Sequence, residues 1–449
     1  MNRSRLTFSF LISNFLFLIF LASCSIQKQI SKSANQLVLK DSSLLTAHIG
    51  ISIYETETGK YWYNYQGGKY FVPASNTKIP TCYAAMKYLG DSLNGWTIKE
   101  TTDSVYLKPG GDPTFLHPEF KSQLVFQYLK KSTKKLRIVF LSHDRFEPYG
   151  KGWSWDDYQE SYLAERARMP IFGNLAVFEM DSLTKGVKVN SRVFIRPPFM
   201  DEPMIQLIGV GKNFTVNRSR DENKFSFSNA SAQLIKKEIP FKSNYSIVQY
   251  KLLLDTLNLS EWNFPFGFAI KDDNYKKFKT QPTDSLLKPM MHRSDNFFAE
   301  QSLLMVSNEL LGVMNDEKII DTLLKTDFKD LPQRPRWADG SGLSRYNLFT
   351  PQDFVFILNK MKNEFGMERI KVIFPTGGKG TITNYYKADS SFIFAKTGTL
   401  SGVVALSGYL YTKKGKLLIF STLVNNHQAS ATAVRRSIEK FVQGIRNKY

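Results

Sequence analysis

Three short groups of residues have the side chains that acyl transfer through a serine would need. They are Ser75-Asn76-Thr77-Lys78, Ser294-Asp295-Asn296 and Lys396-Thr397-Gly398. A serine hydroxyl is a weak nucleophile until a base removes its proton. Ser75 and Lys78 stand three positions apart, so on a helix they share one face and the amine can reach the hydroxyl. Because other Ser-x-x-Lys matches occur in the chain, the order and spacing of all three groups carry the prediction.

We predict Ser75 as the nucleophile and Lys78 as its general base. The lysine must be neutral for this role, which requires a desolvated or cation-rich setting, and Lys396 is a candidate for the neighbouring cation. A helix N-terminus at Ser75 would also direct backbone N–H groups and the positive end of the helix dipole at a developing oxyanion.

Both ends of the chain must supply the elements that hold these residues. Alternation over residues 47–54 and an aromatic run over 61–65 predict a β-hairpin, and apolar residues at helical spacing follow Ser75. Near the C-terminus, three strands are predicted at 392–397, 403–411 and 416–424, and an amphipathic helix at 431–446. We therefore expect an α+β fold whose antiparallel sheet combines both chain ends and is flanked by helices, with a helical subdomain.

A large insertion separates the first two groups, since Ser294 lies 219 residues after Ser75. We predict a discontinuous catalytic domain from residues 24–95 and 281–449, and an inserted domain over 96–280. A smaller β-rich domain, at about 187–239, is expected to be nested in the insertion. Its other predicted elements are strands at 105–108 and 136–141 and helices at 120–131 and 246–257.

The first residues predict export. Residues 1–23 combine a basic start, an apolar run and small residues before Cys24, which is typical of a signal peptide. Leu21-Ala22-Ser23-Cys24 resembles the lipobox of bacterial lipoproteins, which implies a lipid on Cys24 that anchors the protein to a membrane of the cell envelope, facing the periplasm. Ordinary secretion with a chance cysteine is the alternative. Cys82 is the only other cysteine, so we expect a packed thiol and no stabilising disulfide.

Composition excludes some classes of protein. A hydrophobic content of 42% over 449 residues can build sizeable cores, which excludes wholesale disorder. In an exported chain the net charge of +20 suits anionic envelope material better than nucleic acid, and a generally solvated basic surface explains it equally well. The five histidines are scattered without zinc-like spacing, so neither a metal nor another cofactor is predicted.

The three motifs resemble those of the low-molecular-mass class C penicillin-binding proteins, the D-alanyl-D-alanine carboxypeptidase/endopeptidase family. Further stretches similar to this family are 110–114, 152–157, 339–345, 377–381 and 396–402. The resemblance implies a β-lactamase/transpeptidase-like domain that hydrolyses peptidoglycan stem peptides or crosslinks through a Ser75 acyl-enzyme and binds β-lactam antibiotics. A β-lactamase-like hydrolase and a catalytically inactive wall-binding lipoprotein are the alternatives.

Roles for single residues follow from the same resemblance. Ser294 would relay a proton to the leaving amine, and Asn296 would bind the substrate backbone. The backbone N–H groups of Ser75 and Thr399 would form the oxyanion hole, which is usually a large catalytic contribution. Asp295, between the two motif residues, is expected to favour the helix N-terminus rather than to catalyse.

Further residues are expected to bind substrate. Lys396 and the Thr397 hydroxyl suit a terminal carboxylate, and a substrate peptide can pair with their strand, which Gly398 leaves accessible. Arg345 would contact a stem-peptide carboxylate, or only brace its loop. Asp339 is expected to form a turn rather than to act as an acid.

One position departs from the family pattern. Relatives have an aspartate that helps bind a free substrate amine where this chain has Ser142. Asp144 is the candidate replacement, and His143, between them, is not expected to bind a metal. Preference for an amine-bearing stem peptide is therefore open, as is the balance between carboxypeptidase and endopeptidase activity.

Overall fold

A computed structural model describes residues 26–139, 143–182, 191–196, 205–211, 213–230, 235–243, 247–259 and 275–449. The helices are α1 (residues 26–34), α2 (Lys78–Tyr88), α3 (Leu124–Lys131), α4 (Ile247–Leu257), α5 (Thr283–His292), α6 (Asn296–Leu311), α7 (Asp316–Lys325), α8 (Pro351–Ile373) and α9 (Ala431–Lys448). The strands are β1 (His48–Glu55), β2 (Lys60–Tyr65), β3 (Ser92–Glu100), β4 (Ser104–Pro109), β5 (Lys135–Ile138), β6 (Leu175–Ser182), β7 (Ser191–Arg196), β8 (Ile205–Gly211), β9 (Thr215–Arg218), β10 (Phe225–Ala230), β11 (Ile235–Pro240), β12 (Lys276–Pro282), β13 (Ile393–Leu400), β14 (Val403–Tyr411) and β15 (Leu417–Asn425).

A five-stranded antiparallel sheet joins the two ends of the chain. Its order is β13-β14-β15-β1-β2, so the predicted N-terminal hairpin pairs directly with the last strand, His48 lying opposite Asn425. Side chains of a strand alternate between its faces, and here the two faces contact two different cores. Ala405 and Ile419 face the core that contains α2, α5, α6 and α8, whereas Val404 and Phe420 face the core of α1 and α9.

Helices on one face of this sheet position the catalytic candidates. Helix α6 is buried over every residue from 296 to 307 and contacts α2, α5 and α7. Its N-cap is Asp295 and its C-cap is Gly312 in the left-handed conformation. Helix α8 begins at Pro351 behind a reciprocal cap between Thr350 and Asp353, since each side chain accepts the other's backbone N–H.

The chain leaves and re-enters this region through two neighbouring strands. β3 and β12 pair antiparallel in a sheet of order β12-β3-β4-β5. The predicted strands at 105–108 and 136–141 correspond to β4 and β5. The sequence predicts a helix between these two strands, at 120–131. Its predicted start is wrong, because α3 begins at Leu124. The Gln123 side chain bonds Leu116 N, Thr114 O and Phe120 O, which holds the preceding residues in a loop.

A β-rich region follows, with two three-stranded sheets of order β11-β6-β7 and β8-β10-β9. It begins at Leu175, earlier than the predicted residue 187. Phe178 and Phe225 of these strands share one hydrophobic core with Trp96 and Val105 of the four-stranded sheet. The limits of the inserted and nested domains stay predictions.

The N-terminal segment packs on the C-terminal helix. Ile30, Ala34 and Val38 are buried in the core that includes α9, and Ser437 Oγ donates to Leu37 O. Within the described part of the chain, no helix combines the length and apolar character needed to cross a membrane. The signal peptide and Cys24 lie outside the described residues. Cys82 is buried in α2, as predicted, and burial raises the pKa of its thiol.

Candidate active site

Ser75 lies on a tight turn at the start of α2. Residues Ala74–Thr77 form a short 3₁₀-helix that runs directly into Lys78, so Ser75 stands at an N-terminal helix end. Ala74 has a φ of 47°, a backbone conformation that non-glycine residues rarely adopt. Such strain is typical of sites where the surrounding structure imposes one geometry. The Ser75 side chain is half-buried and therefore accessible.

Two glycines from other segments approach this turn closely. A Cβ on Gly342 would lie 1.9 Å from Ala74 O, and a Cβ on Gly398 would lie 2.6 Å from Pro73 O. The absence of a side chain therefore allows both the 339–345 loop and strand β13 to contact the turn of Ser75. The sequence suggested that Gly398 leaves room for a substrate; its contact with Pro73 is a second requirement, internal to the protein.

Lys78 is fully buried and makes three hydrogen bonds through Nζ. Its acceptors are Ser75 Oγ at 3.1 Å, Asn296 Oδ1 at 2.6 Å and Ser341 O at 2.7 Å. A neutral amine has two N–H donors and one lone pair. Donation to Asn296 and Ser341 would leave that lone pair directed at the Ser75 hydroxyl, which is the arrangement a general base requires.

Burial lowers the pKa of Lys78 to about 8. The charges of Asp339, Glu300 and Asp295 act in the opposite direction and raise it. We expected a neighbouring cation at Lys396 to lower this pKa, but desolvation is the main cause. The effect of one lysine on the other is instead an effect of Lys78 on Lys396. The pKa of Lys396 lies well below its ordinary value because of burial and, second, the charge of Lys78.

A second amine–hydroxyl pair lies beside the first. Lys396 is fully buried on β13, and its Nζ donates to Ser294 Oγ at 2.8 Å and to Thr397 O at 2.7 Å. Ser294 lies between α5 and α6 with a φ of 62°, another strained non-glycine backbone. The site thus contains two serine hydroxyls, each in contact with a buried lysine amine.

The loop before α6 orients its polar side chains in different directions. Asp295 caps the helix by accepting from Phe298 N at 2.9 Å, in agreement with the structural role expected for it. Asn296 uses both ends of its amide, since Oδ1 accepts from Lys78 and Nδ2 donates to Tyr162 O at 3.2 Å. Asn296 therefore connects the general-base candidate to the 161–163 turn of the insertion.

Asp339 organises the loop that supplies Ser341. It is fully buried. Its carboxylate accepts four hydrogen bonds of 2.7–2.9 Å, from Gly342 N, Ser344 N, Asn347 Nδ2 and Trp153 Nε1. These bonds agree with the predicted turn-forming role. At the end of the same loop Arg345 is exposed and donates to Ser401 O at 2.9 Å, a contact that fits the bracing alternative.

Strand β13 is at the edge of the five-stranded sheet. Its N-terminal part is covered by a bridge between Phe394 and Thr376, whereas Lys396 and Thr397 follow beyond that bridge. Thr397 is nearly buried, and Thr399 is exposed with Oγ1 accepting from Arg435 of α9. The structure thus brings Ser75, Lys78 and Asn296 into one hydrogen-bonded group and Ser294 and Lys396 into a second beside it, with Thr397 and Thr399 on the strand of Lys396.

Most of the chain matches a known protein family. Residues 31–200 and 270–447 match the model of the D-Ala-D-Ala carboxypeptidase 3 (S13) family. The chain belongs to this family. It is 25% identical to the D-alanyl-D-alanine carboxypeptidase DacB of Haemophilus influenzae over 432 residues, which cover 86% of this chain and 87% of that protein. It is 24% identical to a D-alanyl-D-alanine carboxypeptidase of Actinomadura sp. over 452 residues, 88% of this chain and 80% of the relative.

The fold of this S13 peptidase is also similar to a solved structure. Penicillin binding protein 4 (dacB) from Haemophilus influenzae superposes with a TM-score of 0.70 at 21% identity, covering 92% of this chain and 98% of that one. The predicted α+β fold and the resemblance to class C penicillin-binding proteins are confirmed. The protein is a serine-type D-Ala-D-Ala peptidase.

The structure does not support one proposed substrate contact of the S13 peptidase. Asp144 is 6% exposed, and both of its carboxylate oxygens are engaged, one accepting from Met314 N at 2.9 Å and the other from Arg168 Nε at 3.0 Å. It joins the insertion to the segment before α7, and both oxygens already have partners within the protein, so the expectation that Asp144 binds a substrate amine is not supported. Ser142 lies outside the described residues. His143 is exposed, and the described ranges contain no group of metal-binding side chains.

Sequence reasoning missed a buried charge cluster behind Lys78. Glu300 accepts from Ser341 N at 2.7 Å, and Arg166 Nη1 lies 3.4 Å from Glu300 and 2.6 Å from Asp316. Burial, followed by the charge of Asp339, raises the pKa of Glu300 to about 7. A signal was present, because Glu300 interrupts an apolar helix one turn after Asn296, on the same side.

Proposed function

We propose that the protein hydrolyses the terminal D-Ala-D-Ala bond of peptidoglycan stem peptides, or the peptide bond of a crosslink, through an acyl-enzyme on Ser75. The observation that carries this proposal is the pair of contacts Lys78 Nζ–Ser75 Oγ and Lys396 Nζ–Ser294 Oγ. They supply a nucleophile with its base and a second hydroxyl with its own amine.

Acylation would require proton transfers from Ser75 to Lys78 and from Ser294 to the leaving amine. Lys78 accepts the Ser75 hydroxyl proton while Oγ attacks the substrate carbonyl carbon, and the resulting oxyanion is held by the backbone N–H groups of Ser75 and Thr399. The carbon–nitrogen bond then breaks, and the leaving amine takes the hydroxyl proton of Ser294. The proton that Lys78 accepted replaces it, so that Lys78 is neutral again for the second half of the reaction. Water attacks the ester in the second half of the reaction, releases the shortened peptide and returns a proton to Ser75.

Substrate binding would use the part of β13 that follows the bridge between Phe394 and Thr376. A peptide added as a further strand beyond Thr397 would place its carbonyl over Ser75, with Asn296 beside it. The terminal carboxylate would bind the Thr397 hydroxyl and Lys396. Arg345 would contribute a cation at the rim of the same cleft if a ligand displaces its bond to Ser401.

The export residues complete the proposal. Residues 1–23 would be removed as a signal peptide, and Cys24 would carry the lipid that anchors the enzyme in the cell envelope, facing the periplasm. The catalytic domain would comprise residues 24–95 and 281–449, and the inserted region would form a separate domain. A net charge of +20 supports attraction to anionic wall material.

Labelled penicillin and intact muropeptides test the function together. One solved structure of Haemophilus influenzae penicillin binding protein 4 is a complex with a β-lactam. We expect penicillin to label Ser75, and a folded Ser75→Ala protein to be neither labelled nor active on muropeptides. Labelling that persists at another serine would overturn the assignment. Rapid release of hydrolysed penicillin would indicate a β-lactamase-like hydrolase instead.

A further inference from the structure

A cavity of about 440 Å³ opens directly beside Ser294 and Asn296. Its volume lies in the range of roughly 300–1,000 Å³ that is typical of ligand sites. Ser75 is not among its lining residues, so the cavity extends from the second hydroxyl rather than from the nucleophile. In the proposed mechanism Ser294 protonates the leaving amine, and the cavity therefore begins where the leaving group departs.

The insertion supplies one wall of this cavity. Leu175 and Val177 of β6 face it, whereas the alternate residues Ala176 and Phe178 are buried in the core of the insertion. On the neighbouring strand β11, Glu238 pairs with Val177. Because directly opposite residues of an antiparallel pair share a face, Glu238 lies on the cavity side of the sheet.

Charged side chains of both signs surround this apolar wall. Lys236 and Glu238 form an ion pair on β11, and Arg293, next to Ser294 in the chain, forms another with Glu119 and also contacts Asp295. The four side chains of these two pairs are 38–50% exposed. Exposed ion pairs contribute little to stability, so their partners can be exchanged for charges on a ligand at low cost.

We infer that this cavity binds the leaving half of a peptide crosslink, that is, the second stem peptide whose amine departs when the crosslink is cut. Such a ligand combines an aliphatic chain with charges of both signs, which matches a cavity lined by an apolar wall and by two ion pairs. A free D-alanine leaving group is a single residue and would fill only a small part of a cavity of about 440 Å³. The inference rests on the proposed function and assigns the cavity to endopeptidase activity alone.

The test compares three reactions of the purified mature enzyme: acylation by fluorescent penicillin, release of D-alanine from a monomeric pentapeptide muropeptide, and cleavage of a crosslinked muropeptide dimer. The variants are Lys236→Ala, Glu238→Ala and Val177→Trp, which fills the cavity. Lys237→Ala is the matched control, because Lys237 is adjacent on β11 and faces the other side of the sheet.

We expect each charge variant to lower kcat/KM for the dimer about tenfold, the effect of losing one charged hydrogen bond. Val177→Trp should lower it at least as much. Penicillin acylation and pentapeptide hydrolysis should stay within twofold of the wild type, as should all three reactions of Lys237→Ala. Loss of dimer cleavage alone supports the inference.

Equal losses on the pentapeptide and the dimer would overturn it, because the cavity would then bind the acyl half that both substrates share. Full dimer cleavage by the Lys236→Ala and Glu238→Ala proteins would also overturn it. If Val177→Trp does not fold, these two surface variants decide the outcome. A wild-type enzyme that neither reacts with penicillin nor cuts the pentapeptide would instead refute the proposed function.

Discussion

Lys78 Nζ donates a 2.6 Å hydrogen bond to Asn296 Oδ1, although 218 residues separate the two in the chain. With Ser341 O as a second acceptor, Asn296 determines which way the amine points. Asn296 was expected to bind the substrate backbone, and it thus also contacts the candidate general base. The insertion participates as well, because Tyr162 O accepts from the other end of the same amide.

The depressed pKa of Lys78 predicts the pH dependence of acylation. With a pKa of about 8, the amine is protonated and inactive as a base below that pH, so the acylation rate should fall about tenfold per pH unit on the acid side. Stopped-flow acylation by a chromogenic penicillin between pH 5 and 9 measures this limb. Lys78→Ala should fold and lose roughly 10²–10⁴-fold in rate. Near-normal acylation by this variant would eliminate Lys78 as the base.

Glu300 should shift that pH profile without touching the substrate. Its negative charge raises the pKa of Lys78, so Glu300→Gln should move the acid limb of acylation to lower pH. The amide can still accept from Ser341 N, which preserves the loop. Glu309→Gln is the control, because Glu309 lies nine residues farther along the same helix and its part-buried carboxylate bonds Asn94 and Lys277 rather than the site. An unchanged acid limb in Glu300→Gln would show that the residue serves only to hold the loop.

The sequence predicted the elements whose signals are local. Alternation defined the N-terminal hairpin, and the turn with helical spacing after Ser75 defined α2. The three motifs could be recognised because each is a short run of residues at the start of one helix or on one strand, namely α2, α6 and β13. The contribution of both chain ends to one sheet was also predicted, since an isolated hairpin is marginally stable. The order of the strands and the pairing of β1 with β15 were not predicted.

Features that depend on distant partners could not be predicted. Glu300 interrupts an apolar helix visibly, but its pairing with Arg166 requires the fold of the insertion. Asp144 reads as an exposed acid between polar neighbours, yet Arg168 and the Met314 N–H bury it. The start of α3 moved because Gln123 bonds the loop before it. For Glu300 and Asp144, contacts with distant residues override the local pattern. At the start of α3, local hydrogen bonds from a side chain to the backbone override it.

Asp144→Ala should therefore affect stability rather than substrate preference. Its removal leaves Met314 N–H and Arg168 without their acceptor in a buried position, which costs about 1–3 kcal/mol. Thermal unfolding should show a lower Tm, while the ratio of activities on crosslinked and monomeric substrates stays that of the wild type. A selective loss on amine-bearing stem peptides at an unchanged Tm would restore the binding role.

Cys24→Ala tests the anchor. If the cysteine is lipidated, the wild-type protein should sediment with membranes and the variant should appear in the soluble fraction. Bacterial lipoproteins carry more than one acyl chain, which is what stable attachment requires. Detection of acylated Cys24 by mass spectrometry of the mature N-terminus is the direct measurement. Unmodified, soluble wild-type protein would argue for plain secretion.

Gly342 offers a test of the geometry around the nucleophile. It has a φ of 84°, and a Cβ there would lie 1.9 Å from Ala74 O, a backbone atom that cannot rotate away. Gly342→Ala should therefore displace the turn of Ser75 or the 339–345 loop that supplies Ser341 to Lys78. Acylation by penicillin should fall by at least tenfold, since near-attack geometry tolerates little displacement.

Gly415→Ala separates this displacement from backbone strain. Gly415 has a nearly equal φ of 80° but nothing within 4 Å of its Cβ position. Gly415→Ala should lose about 1–2 kcal/mol of stability from the left-handed conformation, measured by denaturant unfolding. Gly342→Ala should lose at least as much, because the clash adds to this strain. Only Gly342→Ala should lose acylation rate in the folded protein. Equal acylation by the two variants would mean that the Ser75 turn adapts to the added methyl group, and that the close approach of the loop is not needed to hold the nucleophile.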